Sequence, residues 1–269
     1  MLRCVAQVSL AAALVGAVFT LPSVAAAAVA LPPANGQLDY QIGGAYVPDP
    51  AVRIVDRDRT VAPVPGKYNV CYLNAFQTQP DAARWWKAHH KTLLLRRRGA
   101  YVVDSAWNEI LLDTSRPRKR AALASIIGNW IDACRRAGYQ AIEPDNLDSW
   151  TRSRRLLTRS QDTALASQLI ARAHRAGLAI AQKNTPELGS AGKAMGFDFA
   201  IAEECFVYDE CGAYTQAYGH QVFEVEYADN GGRRNYAAAC RAHGAAISIV
   251  YRDRQVVARG RSGYAYAAC

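Results

Sequence analysis

From residue 40 onward, short apolar or β-branched runs alternate with longer stretches whose apolar residues recur at helical spacing. This alternation is typical of repeated βα units and a parallel sheet. Eight units of this kind predict an α/β fold, a single (β/α)8 TIM-like barrel. The pattern places its strands at Tyr40–Gly43, Arg53–Asp56, Tyr68–Asn74, Ala141–Asn146, Leu178–Asn184, Phe197–Glu203, Val222–Tyr227 and Ala246–Arg252.

Two of the connecting helices have clear limits. One follows Ser115 and stops at Gly138, and the other runs from Asp162 to His174 and ends at Gly177. The core face of the first helix is formed by Leu123, Ile126, Ile127, Trp130, Ile131 and Cys134.

The chain between the third strand and its helix fits the repeat less well. Leu93-Leu94-Leu95 and Tyr101-Val102-Val103 also resemble short strands. We interpret them as a loop excursion after the third strand, on the catalytic side of the barrel, and not as barrel strands.

The N-terminus has the pattern of a secretory signal peptide at residues 1–28. Arg3 precedes an apolar run from Val5 to Leu21, and small residues follow it, with cleavage expected near Ala26 to Ala30. A transmembrane anchor is the competing interpretation, but Pro22 interrupts the run and no cationic cluster follows it. We expect a secreted protein, extracellular or periplasmic, without a membrane anchor, in which residues 36–269 form one monomeric domain.

Cleavage would remove Cys4 and leave six cysteines in an exported chain, a number that favours disulfides over free thiols or a metal site. Proximity in the proposed topology predicts three bridges. They are Cys205–Cys211, Cys240–Cys269 and Cys71–Cys134.

The net charge is +9, or +8 without Arg3, and arginines cluster at Arg96–Arg98, Arg116–Arg120 and Arg152–Arg159. Binding to nucleic acid is one interpretation of this charge, and a solvated basic surface is the other. Because no nucleic-acid motif accompanies the arginines, we expect no nucleic-acid partner.

Polar residues end nearly every predicted strand, where the active site of such a barrel is built. Strands buried on both faces have no structural use for so many carboxylates at one end, so a basic protein is predicted to hold an acidic cleft. Nine of the 23 acids lie at or just after three strand ends: Glu143, Asp145, Asp148, Glu203, Glu204, Asp209, Glu210, Glu226 and Asp229.

Paired carboxylates point to cleavage of a glycosidic bond, in which one acid protonates the leaving oxygen and the other attacks or activates water. Asp145 on the fourth strand and Glu203 on the sixth are placed to face each other across the barrel mouth. The alternative is a structural network of these acids with Lys183, Arg252 and other arginines. The five histidines have no metal-ligand spacing, and there is neither a Gly-x-Ser-x-Gly elbow nor a phosphate-binding loop. We therefore predict no metal and no cofactor.

Four segments resemble glycoside hydrolase family 114: residues 69–77, 143–149 (EPDNLDS), 181–184 and 197–205 (ending AEEC). The resemblance covers about residues 39–269. It implies a TIM-like barrel with endo-α-1,4-polygalactosaminidase activity on an amino-sugar polysaccharide. It also implies that Asp145 and Glu203 are the catalytic pair, with Glu204 replacing Glu203 if the strand register is off by one.

Further strand-end residues are predicted to bind the substrate. Lys183 and Asn184 are expected to orient the substrate or Asp145, although a purely structural ion pair of Lys183 is the alternative. Two interpretations are equally supported for four aromatic residues: they stack on sugar rings of the substrate, or they only pack within the barrel and its loops. These residues are Trp107, Tyr40, Tyr72 and Tyr227. A non-catalytic carbohydrate-binding barrel is the alternative function. The predicted binding residues are Asn74, Asn146, Lys183, Asn184, Glu204, Glu226 and Tyr227.

Overall fold

The computed structural model describes residue 1 and residues 29–269, so the predicted signal peptide lies outside the described residues apart from Met1. Eight parallel strands follow one another around a barrel in chain order. They are β1 (Leu38–Tyr40), β2 (Ile54–Asp58), β3 (Tyr68–Asn74), β4 (Ala141–Asp145), β5 (Ala179–Lys183), β6 (Phe199–Glu203), β7 (Val222–Tyr227) and β8 (Ser248–Arg252). The predicted TIM-like barrel is thereby confirmed.

The barrel is nearly closed. A ninth strand, β9 (Tyr266–Ala268), which the sequence pattern did not predict, runs antiparallel to β8. The Arg252 guanidinium donates to the carbonyl oxygen of Tyr40, and the Tyr266 hydroxyl donates to that of Leu38 at 2.9 Å. Side chains therefore join the last strands to the first one.

β1 begins and ends earlier than predicted, because the chain turns at Gln41 and continues to Gly44 without pairing as a strand. Its inward side chains, Leu38 and Tyr40, are buried. The sequence pattern therefore predicted a strand here correctly, but it placed the limits of that strand too far along the chain.

Within residues 29–269, six helices cover the barrel: α1 (Ala83–His89), α2 (Pro117–Ala137), α3 (Arg159–Arg175), α4 (Ser190–Met195), α5 (Cys211–Tyr218) and α6 (Gly232–His243). The two predicted helices correspond to α2 and α3. α2 ends where Gly138 adopts a φ of 101°, a left-handed conformation that glycine tolerates without strain. α3 begins at a capping box formed by Thr158 and Gln161. Single 3-10 turns lie at Lys91–Leu93, Ser149–Arg152 and Pro186–Leu188.

The excursion between β3 and α2 contains α1 and two short hairpins. The first hairpin pairs Arg96–Arg97 with Ala100–Tyr101, and the second pairs Val103–Asp104 with Glu109–Ile110. Leu93 to Leu95 form no strand of their own, because they are buried as packing residues and only Leu94 makes a bridge, to Leu112. The excursion brings its second hairpin to the carboxyl end of the barrel.

Three disulfides match the predicted pairing: Cys71–Cys134, Cys205–Cys211 and Cys240–Cys269. They join β3 to α2, close the loop after β6, and tie the C-terminus to α6. Within the part of the chain that the structure describes, no helix has the length and apolar character needed to cross a bilayer.

Candidate active site

Functional side chains reach the barrel mouth because alternate residues of a strand point to the same face. Ala141, Ala181, Phe199 and Phe223 belong to the buried cluster inside the barrel. Two or four residues further along the same strands, the inward positions become polar. They are Glu143 and Asp145 on β4, Lys183 on β5, Glu203 on β6 and Tyr227 on β7.

Asp145, Lys183, Glu203 and Tyr227 line a cleft of about 770 Å³ at the carboxyl end of the barrel, whereas Glu143 is fully buried. Its wall contains three cations, Arg152, Lys183 and Arg254, and each of them forms ion pairs with acids. The cleft is therefore strongly negative in a protein of net charge +9, as the sequence predicted. The nine acids of its lining are Asp81, Asp104, Glu109, Asp145, Asp148, Glu187, Glu203, Glu204 and Glu210.

Asp145 is held as an anion. The Tyr72 hydroxyl donates to its Oδ2 at 2.7 Å, the backbone N–H of Asn146 donates to its Oδ1 at 2.7 Å, and Lys183 Nζ lies 3.2 Å from Oδ1. Burial alone would raise the pKa of Asp145. The charge of Lys183 and these hydrogen bonds outweigh burial and hold the pKa below its usual value.

Lys183 lies at the centre of the polar groups, with its side chain only 2% exposed. Its Nζ is 2.9 Å from Glu143 Oε1, 3.2 Å from Asp145 Oδ1 and 3.5 Å from Glu203 Oε2. Burial would lower the pKa of Lys183, but the three carboxylates outweigh it and hold the pKa well above its usual value. Lys183 is therefore a fixed cation that joins both predicted catalytic acids, and not a nucleophile.

Glu203 is oriented by two neighbours. Asn184 Nδ2 donates to its Oε2 at 2.8 Å, and the Tyr227 hydroxyl donates to its Oε1. The Asn184 side chain also accepts from the Glu203 backbone N–H at 2.8 Å. Asn184 and Tyr227 line the cleft, but their hydrogen bonds are made to the acid itself, so they position Glu203.

The residue after each of these three inward groups has a left-handed backbone. The φ angles are 64° for Asn146, 47° for Asn184 and 58° for Glu204. Asparagine adopts this region more readily than most residues, whereas a glutamate there is uncommon. Such strained positions are concentrated at functional sites, and here each one turns the chain sharply away from a strand end.

Glu204 follows the last residue of β6, lines the same cleft as Glu203 and is bound by arginine. Arg254 donates to its two oxygens at 2.9 and 3.0 Å, and the guanidinium also stacks over the Tyr227 ring, 4.1 Å from its centroid. Arg254 in turn pairs with Asp229 at 2.8 Å. The geometry thus favours Glu203 over Glu204 as the residue that faces Asp145.

The remaining predicted binding residues are divided between the cleft and the barrel wall. Asn146 lines the cleft, and Asn74 lies buried behind it, accepting from Asn146 Nδ2 at 3.1 Å. Glu226 does not reach the cleft. It is fully buried on the outer face of β7, next to Glu224, because it alternates with the inward Val225 and Tyr227.

The aromatic candidates also differ in position. Tyr40 is fully buried, donates to Glu143 Oε1 at 2.9 Å and accepts from Lys183 Nζ at 3.0 Å, so it cannot stack on a sugar. Tyr72 lines the cleft floor, while Trp107 lies at the cleft with 45% of its surface exposed. Tyr208, which the sequence pattern did not single out, also lines the cleft and is 59% exposed.

Two further groups were missed because their strands are short or their contacts are distant in sequence. Glu109 enters the cleft from the second hairpin of the excursion, which contributes only two residues to each strand. Asp56 on β2 is fully buried, and its pKa is raised well above the usual value by burial and by the charge of Glu143. Asp56 stood at the end of a predicted strand, which was the one available signal.

Two carboxyl groups on either side of a cleft at the carboxyl end of a barrel define the site of a glycoside hydrolase. A family model described as glycoside-hydrolase family GH114 matches residues 20–269. The chain therefore belongs to that family, and the resemblance found in the sequence motifs is confirmed.

Two solved structures have the same fold. Ega3 of Aspergillus fumigatus, solved in complex with galactosamine, is 20% identical, with 90% of this chain and 98% of that chain covered and a TM-score of 0.69. The glycoside hydrolase domain of PelA from Pseudomonas aeruginosa is 18% identical, with 84% and 97% covered and a TM-score of 0.59. No curated protein sequence matches the chain.

Proposed function

We propose that the protein is a secreted, endo-acting hydrolase of an α-1,4-linked galactosamine-type polysaccharide, with Asp145 and Glu203 as its catalytic pair. The observation that carries this proposal is the position of the two acids. Both contact the ammonium of Lys183, and both face an acidic cleft.

The separation of the two acids favours retention of anomeric configuration. Their nearest oxygens lie 3.2 and 3.5 Å from the same nitrogen, so they are at most about 6.7 Å apart, and diverging N–H directions bring them closer than this limit. Retaining glycosidases hold their carboxyl groups about 5 to 5.5 Å apart, whereas inverting enzymes need about 6.5 to 9.5 Å to admit a water.

In this mechanism Asp145, the residue held as an anion, attacks the anomeric carbon while Glu203 donates its proton to the leaving glycosidic oxygen. The C–O bond breaks as the bond from Asp145 forms. A water then attacks the same carbon and gives its proton to Glu203, and Asp145 is released. Lys183 keeps Asp145 ionised before the attack and stabilises it again when it is released, and Asn184 and Tyr227 hold Glu203 in place.

The substrate class follows from charge and shape. A cleft with nine acids attracts a polymer that carries ammonium groups. The cleft also continues into a smaller cavity of about 280 Å³, with which it shares Ile42, Gly43, Gln79 and Asp81, and such a continuous groove suits cleavage within a chain. Three disulfides and the signal-peptide pattern support secretion.

The test compares the two proposed catalytic acids with Glu204, the acid that follows Glu203 in the chain. Asp145→Asn and Glu203→Gln are each expected to reduce hydrolysis of a partly deacetylated α-1,4-galactosamine polymer by at least about 100-fold, because an amide neither attacks nor donates the required proton. Glu204→Gln, which alters an acid already paired with Arg254, should lower the rate by less than about 10-fold. Reducing ends and product masses report the rate and the endo pattern, and NMR of the first product reports its anomer.

The outcomes separate the possibilities. A large loss in Glu204→Gln with near wild-type activity in Glu203→Gln would reassign the second acid. Wild-type protein that binds the polymer without ever cleaving it would instead indicate a carbohydrate-binding barrel. An inverted first product would contradict the attack by Asp145.

A further inference from the structure

Glu109 is a buried acid of the cleft wall that the catalytic mechanism does not use. It stands directly opposite Asp104 across the hairpin formed by residues 103–104 and 109–110, and each of the two residues is only 7% exposed. Like charges placed opposite each other on paired strands are destabilising. The arrangement therefore costs stability unless both charges are compensated.

Among the described residues, a positively charged side chain pairs with only one of the two acids. Arg152 Nε lies 2.9 Å from Asp104 Oδ2, and the same guanidinium also binds Asp148. Among the described residues, no lysine, arginine or histidine nitrogen lies within 4.0 Å of the Glu109 carboxylate. The fold thus neutralises Asp104 and leaves its partner without a cation.

The hydrogen bonds of Glu109 are also incomplete. Its Oε2 accepts from Asn74 Nδ2 at 2.8 Å and from Asn146 Nδ2 at 3.2 Å, whereas Oε1 has no hydrogen-bond partner among the described residues. Burial raises the pKa of Glu109 to about 7, and the charges of Asp145 and Asp104 add to this effect. The unpartnered oxygen of this carboxylate is accessible from the cleft, where a positively charged group of a substrate would compensate it.

We propose that Glu109 binds the ammonium group at C2 of the sugar ring whose anomeric carbon faces Asp145, and so selects N-deacetylated units. The inference rests on the proposed function. Its geometric basis is Asn146, which follows Asp145 in the chain and donates to Glu109, so the two acids stand side by side in the cleft. C2 is the neighbour of the anomeric carbon, so the 2-amino group of a ring bound at Asp145 comes within reach of Glu109 when it points to the Asn146 side of the cleft.

An N-acetyl group would change this contact in two ways. It removes the positive charge that compensates Glu109, and it adds an acetyl carbon skeleton beside a buried side chain. A site built around a charged hydrogen bond rejects the analogue that lacks it, because its own polar group is left unpaired. Selection therefore follows from the chemistry of the amide as well as from its size.

The test uses oligomers of α-1,4-galactosamine of equal length, either fully deacetylated or fully N-acetylated. For Glu109→Gln, kcat/KM on the deacetylated oligomer should fall at least about 30-fold, mainly through KM, while kcat/KM on the acetylated oligomer should change less than about 3-fold. Glutamine keeps an oxygen acceptor for Asn74 and Asn146, so the fold should be retained. Asp81→Asn removes one charge from the exposed rim of the same cleft and should alter the preference less than about 3-fold.

A pH series distinguishes recognition from a structural role. Because the carboxylate must be ionised and the sugar amine protonated, the wild-type preference for the deacetylated oligomer should rise as pH increases towards about 7 and fall again at higher pH, where the amine loses its proton. Glu109→Gln should lose that part of the rise. Equal losses on both oligomers, or an unchanged pH dependence of the preference, would overturn the proposal.

Binding to inactive protein separates this proposal from the catalytic one. In the Asp145→Asn background, adding Glu109→Gln should weaken calorimetric binding of the deacetylated oligomer at least about 10-fold and leave that of the acetylated oligomer nearly unchanged. This readout stands even if hydrolysis by wild-type protein is not observed. A deacetylated-oligomer affinity that appears only with added calcium, and vanishes with a chelator, would assign Glu109 to a metal ion and refute the proposal.

Discussion

Two pairs of buried carboxyl groups lie on opposite sides of the barrel wall. Asp56 and Glu143 face inward beneath the catalytic cleft, whereas Glu224 and Glu226 face outward on β7, and all four side chains are fully buried. Burial raises the pKa of both members of each pair, and within each pair the two carboxyl groups influence each other's pKa, so one member of each pair is able to hold a proton. The pairs have the same chemistry but different surroundings.

The inner pair has a cation next to it. Lys183 Nζ lies 2.9 Å from Glu143 Oε1, and the same nitrogen contacts Asp145 and Glu203. Burial raises the pKa of Asp56 well above its usual value and also raises that of Glu143, for which the charge of Lys183 opposes the rise. Asp56 is therefore the more readily protonated member of the pair, and Glu143, whose Oε1 contacts Lys183, is the more readily ionised one.

The outer pair has no cation within 4.0 Å among the described residues. The Phe206 backbone N–H donates to Glu224 Oε1 at 2.8 Å, and the disulfide of Cys205 and Cys211 lies beside it. Burial raises the pKa of Glu224 to about 9, and the hydrogen bond and charge of Glu226 contribute further. The inner pair therefore acts on the catalytic site through the contact of Glu143 with Lys183. The outer pair anchors the loop that follows Glu203, because Glu224 accepts from the backbone of that loop.

The largest effect is expected from Lys183→Met, which removes the cation of the inner region. Two buried carboxylates, Glu143 and Asp145, would lose their common partner, and breaking such a pair typically costs about 3 to 5 kcal/mol of unfolding free energy. Hydrolysis should fall about 10- to 100-fold but stay above that of Asp145→Asn, because Lys183 does not itself react. Denaturant unfolding and polymer hydrolysis measure the two effects.

The pH profile of Lys183→Met gives a sharper readout. Without the lysine charge, the pKa of Asp145 rises, so the acidic limb of the activity profile should move to higher pH. Lys193→Met, at an exposed position on α4, should leave stability and profile close to wild type. A variant of Lys183 as inactive as Asp145→Asn would show that the lysine has a direct catalytic role.

An intermediate effect is expected when one acid of each pair is converted to its amide. Glu143→Gln removes the anion that fixes Lys183, so kcat should fall about 10-fold. Glu226→Gln lies outside the barrel and should change kcat less than about 3-fold. Steady-state kinetics on the same polymer measures both variants, and equal losses would erase the distinction between the two regions.

Much of the site followed from the sequence because it obeys local rules. The period of two along each strand placed Asp145, Lys183 and Glu203 at the same end of the barrel, and β3 and β7 were predicted with their observed limits. The same rule identified Glu203 or Glu204 but could not choose between them, since that choice depends on a one-residue register. The structure fixes the register of β6, because Phe199 and Ile201 lie inside the barrel and Glu203 shares their face.

The remaining features depend on contacts that no local pattern encodes. Glu226 stands at a strand end as Glu203 does, yet it faces outward because Tyr227 and Val225 fill the inward positions. The pairing of Asp104 with Glu109 arises in a hairpin too short to give a periodic signal. Predicting Asp56 beneath Glu143 would have required the side-chain geometry across three strands of a closed sheet.

The smallest effect is expected from Glu224→Gln, and it concerns stability as a function of pH. The pKa of Glu224 is about 9 in the folded protein and 4.5 when unperturbed, so between these values the folded state holds a proton that the unfolded state releases. The unfolding free energy should therefore fall as pH rises across this window, by at most about 1.4 kcal/mol per pH unit from this group. Glutamine cannot lose that proton, and its amide N–H can still donate to Glu226, so the variant should show a shallower decline.

Urea unfolding at pH 5, 7 and 9 measures the slope, with Glu187→Gln at an exposed position as the control that keeps the wild-type slope. If Glu224→Gln loses stability with pH as steeply as wild type, the outer pair does not hold a proton and its proposed contrast with the inner pair fails.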